Sequence, residues 1–383
     1  MNHGYAEIFR GQVQREHTSD RAEKRVPRSN CSRALQASLL LWSLTAATIP
    51  ASAEATRNAD PAQQADDLAY ARPQQKVDIG GARSMNLYCS GSGAPTVIFD
   101  SGLSDWGFTW ALVQPAVAAR QRACVYDRAG LGYSDPSGRP GTSPNIVEDL
   151  HALLSAAQIA PPYLLVGHSF GGMNVRLYAD RYFDEVAGMV LVDPTHEDGM
   201  ARIDAVRNHQ ESRRYAEQVR HWRACLRRSM HAVTARFRQE CLEPADARYG
   251  RRLNAERERV ARQPAYQQAQ LSEVENYANG VSFAAVRAAR RSFGSLPLIV
   301  LTSGQTAGTA GPQWRCLHRE LAALSSVGVQ RTVTGAGHYL QLDRPDLVIA
   351  AIAQVQSAGT TAQPATASKV IRPAPCSTAR RLY

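Results

Sequence analysis

Apolar residues in this chain collect into short, nearly unbroken runs set between longer stretches with helical spacing. The runs are Pro95-Thr96-Val97-Ile98-Phe99-Asp100, Ala123-Cys124-Val125-Tyr126, Tyr163-Leu164-Leu165-Val166, Ala187-Gly188-Met189-Val190-Leu191-Val192 and Leu296-Pro297-Leu298-Ile299-Val300-Leu301. Runs this short, without polar alternation and bounded by turn residues, predict strands buried on both faces. Val329 to Thr334 predicts a last strand. Val77-Asp78-Ile79 and Ser84 to Cys89, parted by Gly80-Gly81, predict a hairpin. Between the strands, Trp110 to Arg120, Ile146 to Gln158, Met173 to Ala179, Pro312 to Leu324 and Leu340 to Val355 have helical character. Strands alternating with helices predict an α/β fold: a mostly parallel, twisted sheet with helices on both faces.

One segment breaks the alternation. His196 to Arg291 is helical and polar, with few β-branched residues. The expected division is therefore a leader and signal peptide over 1–53, a disordered linker over 54–75, and a core over 76–195 and 292–356. The helical insertion over 196–291 interrupts the core, and an Ala/Thr/Pro-rich tail covers 357–383. Charge follows the same division. Met200 to Phe293 holds about 19 arginines against about 10 acidic residues, which accounts for nearly all of the net +10. No nucleic-acid motif accompanies it, and aromatics are not interleaved with the basic residues, so we expect no nucleic-acid partner. The plain reading is an arginine-rich solvated face. The other is a surface for an anionic ligand or a membrane.

The amino terminus reads as an export signal. Arg28 and Arg33 precede an apolar stretch from Ala34 to Ile49, Pro50 breaks it, and Ala51-Ser52-Ala53 offers a small-x-small cleavage site. The polar leader Met1 to Pro27 is long for such a signal, so a start at Val26 is expected, read from an alternative start codon. Exported, periplasmic or secreted, is the expected location, with anchoring by an uncleaved signal as the alternative. Loss of the leader would discard Cys31 and leave Cys89, Cys124, Cys225, Cys241, Cys316 and Cys376. An even number in an exported chain predicts disulfides and leaves their connectivity open; none of the spacings suits a metal.

The chemistry concentrates at Gly167-His168-Ser169-Phe170-Gly171-Gly172, between a strand and a helix. Small residues there allow a sharp turn that holds a serine hydroxyl in the open at a helix amino terminus. A serine hydroxyl needs a base, and His338 in Gly335-Ala336-Gly337-His338 follows the last strand. The base needs a carboxylate to orient it and stabilise its charge. Ser169, Asp193 and His338 all follow predicted strand ends, where ligands bind in open α/β sheets.

These motifs, with Asp127-Arg128-Ala129-Gly130-Leu131-Gly132-Tyr133-Ser134, make the chain resemble an α/β-hydrolase-fold serine hydrolase, esterase-like, over roughly Lys76 to Gln356. The resemblance implies that the 196–291 insertion is a lid over the serine. It implies a catalytic serine, acid and histidine in that chain order, which Ser169, Asp193 and His338 fill. Two positions depart from the family pattern. The usual place for the acid, after the penultimate strand, reads Thr302-Ser303-Gly304-Gln305-Thr306; Asp193, one strand earlier, is the expected acid, with Asp343 and Asp127 as rivals. Ser101-Gly102 stands where His-Gly is common. The oxyanion hole would then be made by the backbone N–H groups of Leu103 and Phe170, and Ser101 is expected to be structural or to add a hydroxyl. His168 is expected to pack or line the pocket, Trp106 and Trp110 to line an acyl pocket or serve the core, and Asp127 and Arg128 to brace their turn.

The resemblance also implies that Cys89 and Cys124 are joined, because the second strand of this fold lies antiparallel to the fourth. Cys225 with Cys241, both in the lid, and Cys316 with Cys376 would complete the set. The expected function is hydrolysis of a carboxylic ester or related acyl bond of a small-molecule substrate, with no metal and no organic cofactor. Membrane contact is expected only through the signal segment or the basic lid. A serine rather than an aspartate at the elbow disfavours epoxide hydrolase and haloalkane dehalogenase chemistry. Acyl transfer, amide cleavage and carbon–carbon cleavage are the alternatives, as is a binding protein that kept the fold without using it.

Overall fold

A computed structural model describes residues 68–309 and 311–361. The leader, the signal segment, Cys376 and most of the linker and tail lie outside them. The strands are β1 (Gln75–Asp78), β2 (Ser84–Ser90), β3 (Thr96–Asp100), β4 (Ala123–Tyr126), β5 (Tyr163–His168), β6 (Val186–Val192), β7 (Leu298–Ser303) and β8 (Val329–Val333). They form one sheet in the order β1-β2-β4-β3-β5-β6-β7-β8. β2 is antiparallel to β1 and β4, and the remaining neighbours are parallel. This is the α/β-hydrolase architecture.

Both faces of the sheet are covered, which explains the unbroken apolar runs. Side chains alternate across a strand. Ile98, Leu165, Met189, Leu191 and Val300 pack on one side, against Leu150 and Leu153 of helix α2 (Ser143–Ala156) and Leu177 of α3 (Phe170–Arg181). Val97, Phe99, Val166, Val190 and Leu301 face the other side. There they meet Val117 of α1 (Gln114–Ala118) and, near the carboxyl terminus, Val348 and Ile352 of the long helix Pro345–Thr361. The helix expected over Trp110 to Arg120 is shorter than the sequence suggested. Gly107–Trp110 is a 3₁₀ turn, and the α-helix opens with Pro115 in its first turn. Proline has no N–H to continue a helix from upstream but fits its first turn.

The segment between β6 and β7 is helical throughout. It contains α4 (Gly199–Val206), α5 (Gln210–Ser229), α6 (Ala235–Cys241), α7 (Arg251–Ala261), α8 (Pro264–Ala278) and α9 (Val281–Ala289). Beyond β7 come α10 (Gly304–Thr309) and α11 (Pro312–Ala322), then, after β8, α12 (Leu340–Asp343) and α13 (Pro345–Thr361). The last helix extends past the expected tail boundary at 357. The linker reading also ends early. Tyr70 is buried and its hydroxyl donates to Gln114 Oε1 at 2.5 Å, so the chain is fastened to the core before Gln75.

Two disulfides are present among the described residues. Cys89 and Cys124 sit directly opposite each other on β2 and β4, and Cys225–Cys241 joins α5 to α6 around buried Phe237. Both pairings match the expectation. The third would rest on Cys376. No helix among the described residues is long and apolar enough to cross a membrane.

A buried ion cluster joins the insertion to the core. Arg128, in the loop after β4, donates to Asp100 Oδ1 (2.7 Å), to the carbonyls of Ser101 (2.7 Å) and Gly102 (2.6 Å), and to both carboxylate oxygens of Glu273 on α8 (2.7 and 3.0 Å). Glu273 also accepts from the Ser104 N–H at 2.7 Å. The expected bracing role of Arg128 is therefore wider than its own turn. Asp127 does the local work, accepting from the N–H groups of Gly107 and Tyr133 and from Asn86 Nδ2. Removing one partner of a buried pair leaves an uncompensated charge. Glu273→Ala should therefore lower the unfolding free energy by about 3–5 kcal/mol in urea titration, and should loosen the insertion, seen as faster proteolysis within residues 196–291.

Candidate active site

The turn between β5 and α3 determines where the serine can be. Ser169 has φ 53° and ψ −117°, a strained conformation for a residue with a side chain. The helix behind it presses on β3. A Cβ on Gly171 would lie 2.4 Å from the Asp100 carbonyl oxygen, and one on Gly167 would lie 2.5 Å from that of Gly171. Glycine at these two positions lets helix and strand meet. The Ser169 N–H donates to Val192 O at 3.0 Å, and its carbonyl accepts from Thr195 N–H at 2.9 Å. These bonds tie the turn to the exit of β6, which is where Asp193 begins.

Asp193 is fully buried and also has a positive φ, 42°. Its Oδ2 accepts from His338 Nδ1 at 2.6 Å. Its Oδ1 accepts from the Ser303 N–H at 2.9 Å and from Trp314 Nε1 at 3.2 Å. Burial alone would raise its pKa. The His338 hydrogen bond and charge, His318 and the Ser303 N–H outweigh burial and bring it to about 2. An ionised carboxylate on Nδ1 leaves Nε2 of His338 as the basic nitrogen.

His338 follows β8 in a turn shaped by three contacts. Asp343 accepts the Gly337 N–H at 2.7 Å, and the His168 Nε2 hydrogen donates to the His338 carbonyl at 3.0 Å. The rings of His168 and Tyr339 pack 4.7 Å apart. Burial, then the neighbouring His338, pushes the His168 pKa well below its ordinary value, so His168 is a neutral donor. Its place is under the loop, as a support for His338.

Ser169 and His338 line one solvent-open cavity, with Thr195, Tyr215, Tyr277 and Trp314 among its walls. Residues of the insertion's α4, α5 and α8 also line it. Leu103 lies just beyond β3 and Phe170 opens α3; both are buried. Among the described residues neither amide N–H donates to another protein group.

The other residues singled out in the sequence lie apart from this cavity. Ser101 is structural: its hydroxyl donates to the Trp106 carbonyl at 3.0 Å and accepts from Thr109 at 3.1 Å. Trp110 is core, 4.9 Å from the Phe99 ring, and Trp106 lines a separate cavity beside Phe108 and Arg257. Asp343 pairs with Arg248 at 2.7 Å, and Asp127 is held in its own turn, so neither rival acid reaches His338. The sequence reading missed Trp314 and the Ser303 N–H as supports for Asp193. His196, Glu197 and Asp198 offer clustered ligand atoms. However, Glu197 is bound by Arg176 and Arg290, and Asp198 by Arg287, a setting that suits no cation.

A depressed carboxylate pKa stabilises the folded state when ionised. The contribution from Asp193 is fully present above about pH 3.8 and is lost as pH falls through about 2. Asp193→Asn should therefore flatten the dependence of unfolding free energy on pH within that window, measured by denaturant titration at a series of acid pH values.

Comparison with known proteins agrees with the architecture. The family model for the α/β hydrolase fold matches residues 95–345. An uncharacterized protein of Bacillus subtilis, YqjL, is 26% identical over 284 residues, 74% of this chain and 91% of that protein. Among solved structures, DbjA aligns with a TM-score of 0.58 at 16% identity, covering 76% of this chain and 100% of that one. The epoxide hydrolase CorEH aligns with a TM-score of 0.52 at 17% identity, covering 74% and 98%. The protein thus belongs to the α/β-hydrolase fold family.

Proposed function

We propose that the protein is an exported serine hydrolase that cleaves a carboxylic ester or related acyl bond through Ser169, His338 and Asp193. One observation carries this reading: Ser169 and His338 open on the same cavity, while the far nitrogen of His338 is bonded to the buried carboxylate of Asp193. Ser169 Oγ attacks the acyl carbon as His338 Nε2 takes its proton. The N–H groups of Leu103 and Phe170 stabilise the oxyanion. The tetrahedral intermediate collapses, His338 returns the proton to the leaving alkoxide, and an acyl-serine remains. Water then attacks, giving its proton to His338, and the acid departs with Ser169 restored. Asp193 stays ionised and stabilises the imidazolium throughout.

The serine sets this chemistry apart from that named for CorEH, since the elbow here offers a hydroxyl. Export is supported by the signal-like amino terminus and by two disulfides, which persist in oxidising compartments.

A fluorophosphonate probe should label wild-type protein on Ser169, identified by peptide mapping, and should fail on Ser169→Ala; a folded wild-type protein that resists the probe would refute the enzyme reading. Asp193→Asn should lower kcat on p-nitrophenyl esters by about 10⁴-fold, with circular dichroism unchanged. Activity that survives this substitution would place the acid elsewhere.

A further inference from the structure

We infer that the Ser169 cavity takes acyl substrates carrying a carboxylate remote from the scissile bond, recognised by Arg207. This rests on the serine hydrolase reading above and names its substrate class. The observation is a contrast among the arginines of the insertion. Most have a carboxylate partner: Arg202 with Glu320, Arg214 with Glu211, Arg228 with Glu240 and Arg257 with Glu243 are typical. Arg213, Arg227, Arg251 and Arg252 are exposed to water, and Arg291 lies over the Phe183 ring at 4.6 Å. Arg207 fits none of these groups. It is half-buried and lines the cavity that holds Ser169 and His338. Among the described residues its guanidinium has no carboxylate within 4.0 Å and no side-chain hydrogen bond.

The rest of the cavity leaves that charge uncompensated. Among the described residues its only other charged side chains are Glu211 and Arg214, which bond each other at 2.6 Å. His196 is neutral, because burial pushes its pKa to about 3. One positive charge remains, and its base is anchored at the carboxyl end of α4, where the Arg207 N–H donates to the carbonyls of Ile203 and Asp204. The remaining walls include Met200, Ile203, Tyr277 and Trp314, which suit a hydrocarbon chain. A guanidinium on a partly buried side chain without an acceptor gains from meeting one, and a carboxylate matches both its charge and its fork. A chain with a reactive acyl group at the serine and a carboxylate at Arg207 satisfies both ends of the cavity.

Two matched pairs of esters test this. p-Nitrophenyl hydrogen adipate against p-nitrophenyl hexanoate places the anion on the acyl side. The hexanoate ester of 6-hydroxyhexanoic acid against hexyl hexanoate places it on the alcohol side. Wild type should favour the anionic member of at least one pair by about tenfold or more in kcat/KM, mainly through KM. Arg207→Ala should erase that preference, leave the neutral esters within about twofold of wild type, and be partly rescued by Arg207→Lys. Adipate should also slow fluorophosphonate labelling of Ser169 in wild type and not in Arg207→Ala, which reads the subsite without turnover. Equal rates on both members of both pairs, or a parallel loss on neutral and anionic esters in Arg207→Ala, overturns the assignment while leaving the hydrolase intact. Absence of both turnover and labelling overturns the hydrolase reading, and this inference with it.

Discussion

The guanidinium of Arg128 fixes the relation between the loop after β3 and the helical insertion packed against it. It reaches the carboxylate at the end of β3, two carbonyls of the loop that carries Leu103, and a glutamate on helix α8 of the insertion. A planar fork can meet acceptors in several directions at once, which an ammonium on a flexible stem cannot. Burial works against its charge, but Glu273 and Asp100 outweigh that and raise its pKa. A buried ion cluster of this kind is weak evidence for stability, since desolvation consumes much of the attraction. What it supplies is register. The loop after β3 cannot shift without breaking bonds to Arg128 and Glu273, and α8 cannot lift without stranding a charge.

That constraint bears on where an acid can sit. β6 and β7 are neighbours in register, with Asp193 N–H bonded to Leu301 O at 2.8 Å. A carboxylate leaving β6 therefore emerges beside the exit of β7, within reach of a histidine after β8. The residue at the other location, Ser303, contributes its backbone N–H to the same carboxylate. A carboxylate after β6 thus bonds His338 while the loop after β7 supplies a backbone support. Trp314 then does two things, donating to Asp193 and walling the cavity.

Much of this was legible in the sequence because it is local. The apolar runs gave strands within a residue or two, since a strand buried on both faces has no polar position to blur it. The elbow was legible because glycine at 167 and 171 answers a steric demand that few arrangements make. Pairing across the fold was less visible. Arg128 sits in a turn motif beside Asp127, and nothing in that motif tells that one residue stays local while the other crosses to position 273. Trp314 lay in a helix whose amphipathic pattern marks burial and cannot mark a hydrogen bond to a strand end. Tyr70 lay in a polar stretch whose composition outweighed one aromatic residue.

The arginine content of the insertion shows the same limit in electrostatic form. A count of charges treats all its arginines alike and suggests a basic surface. In the fold most of that charge is matched by a carboxylate a few ångströms away, where screening and opposite sign reduce its reach. Long-range attraction for an acidic partner is therefore weaker than the net charge implies. The charge left without a carboxylate beside the Ser169 cavity differs from these, because a partly buried charge is screened less than one on the open surface. Position within the fold, rather than abundance along the chain, singles out Arg207.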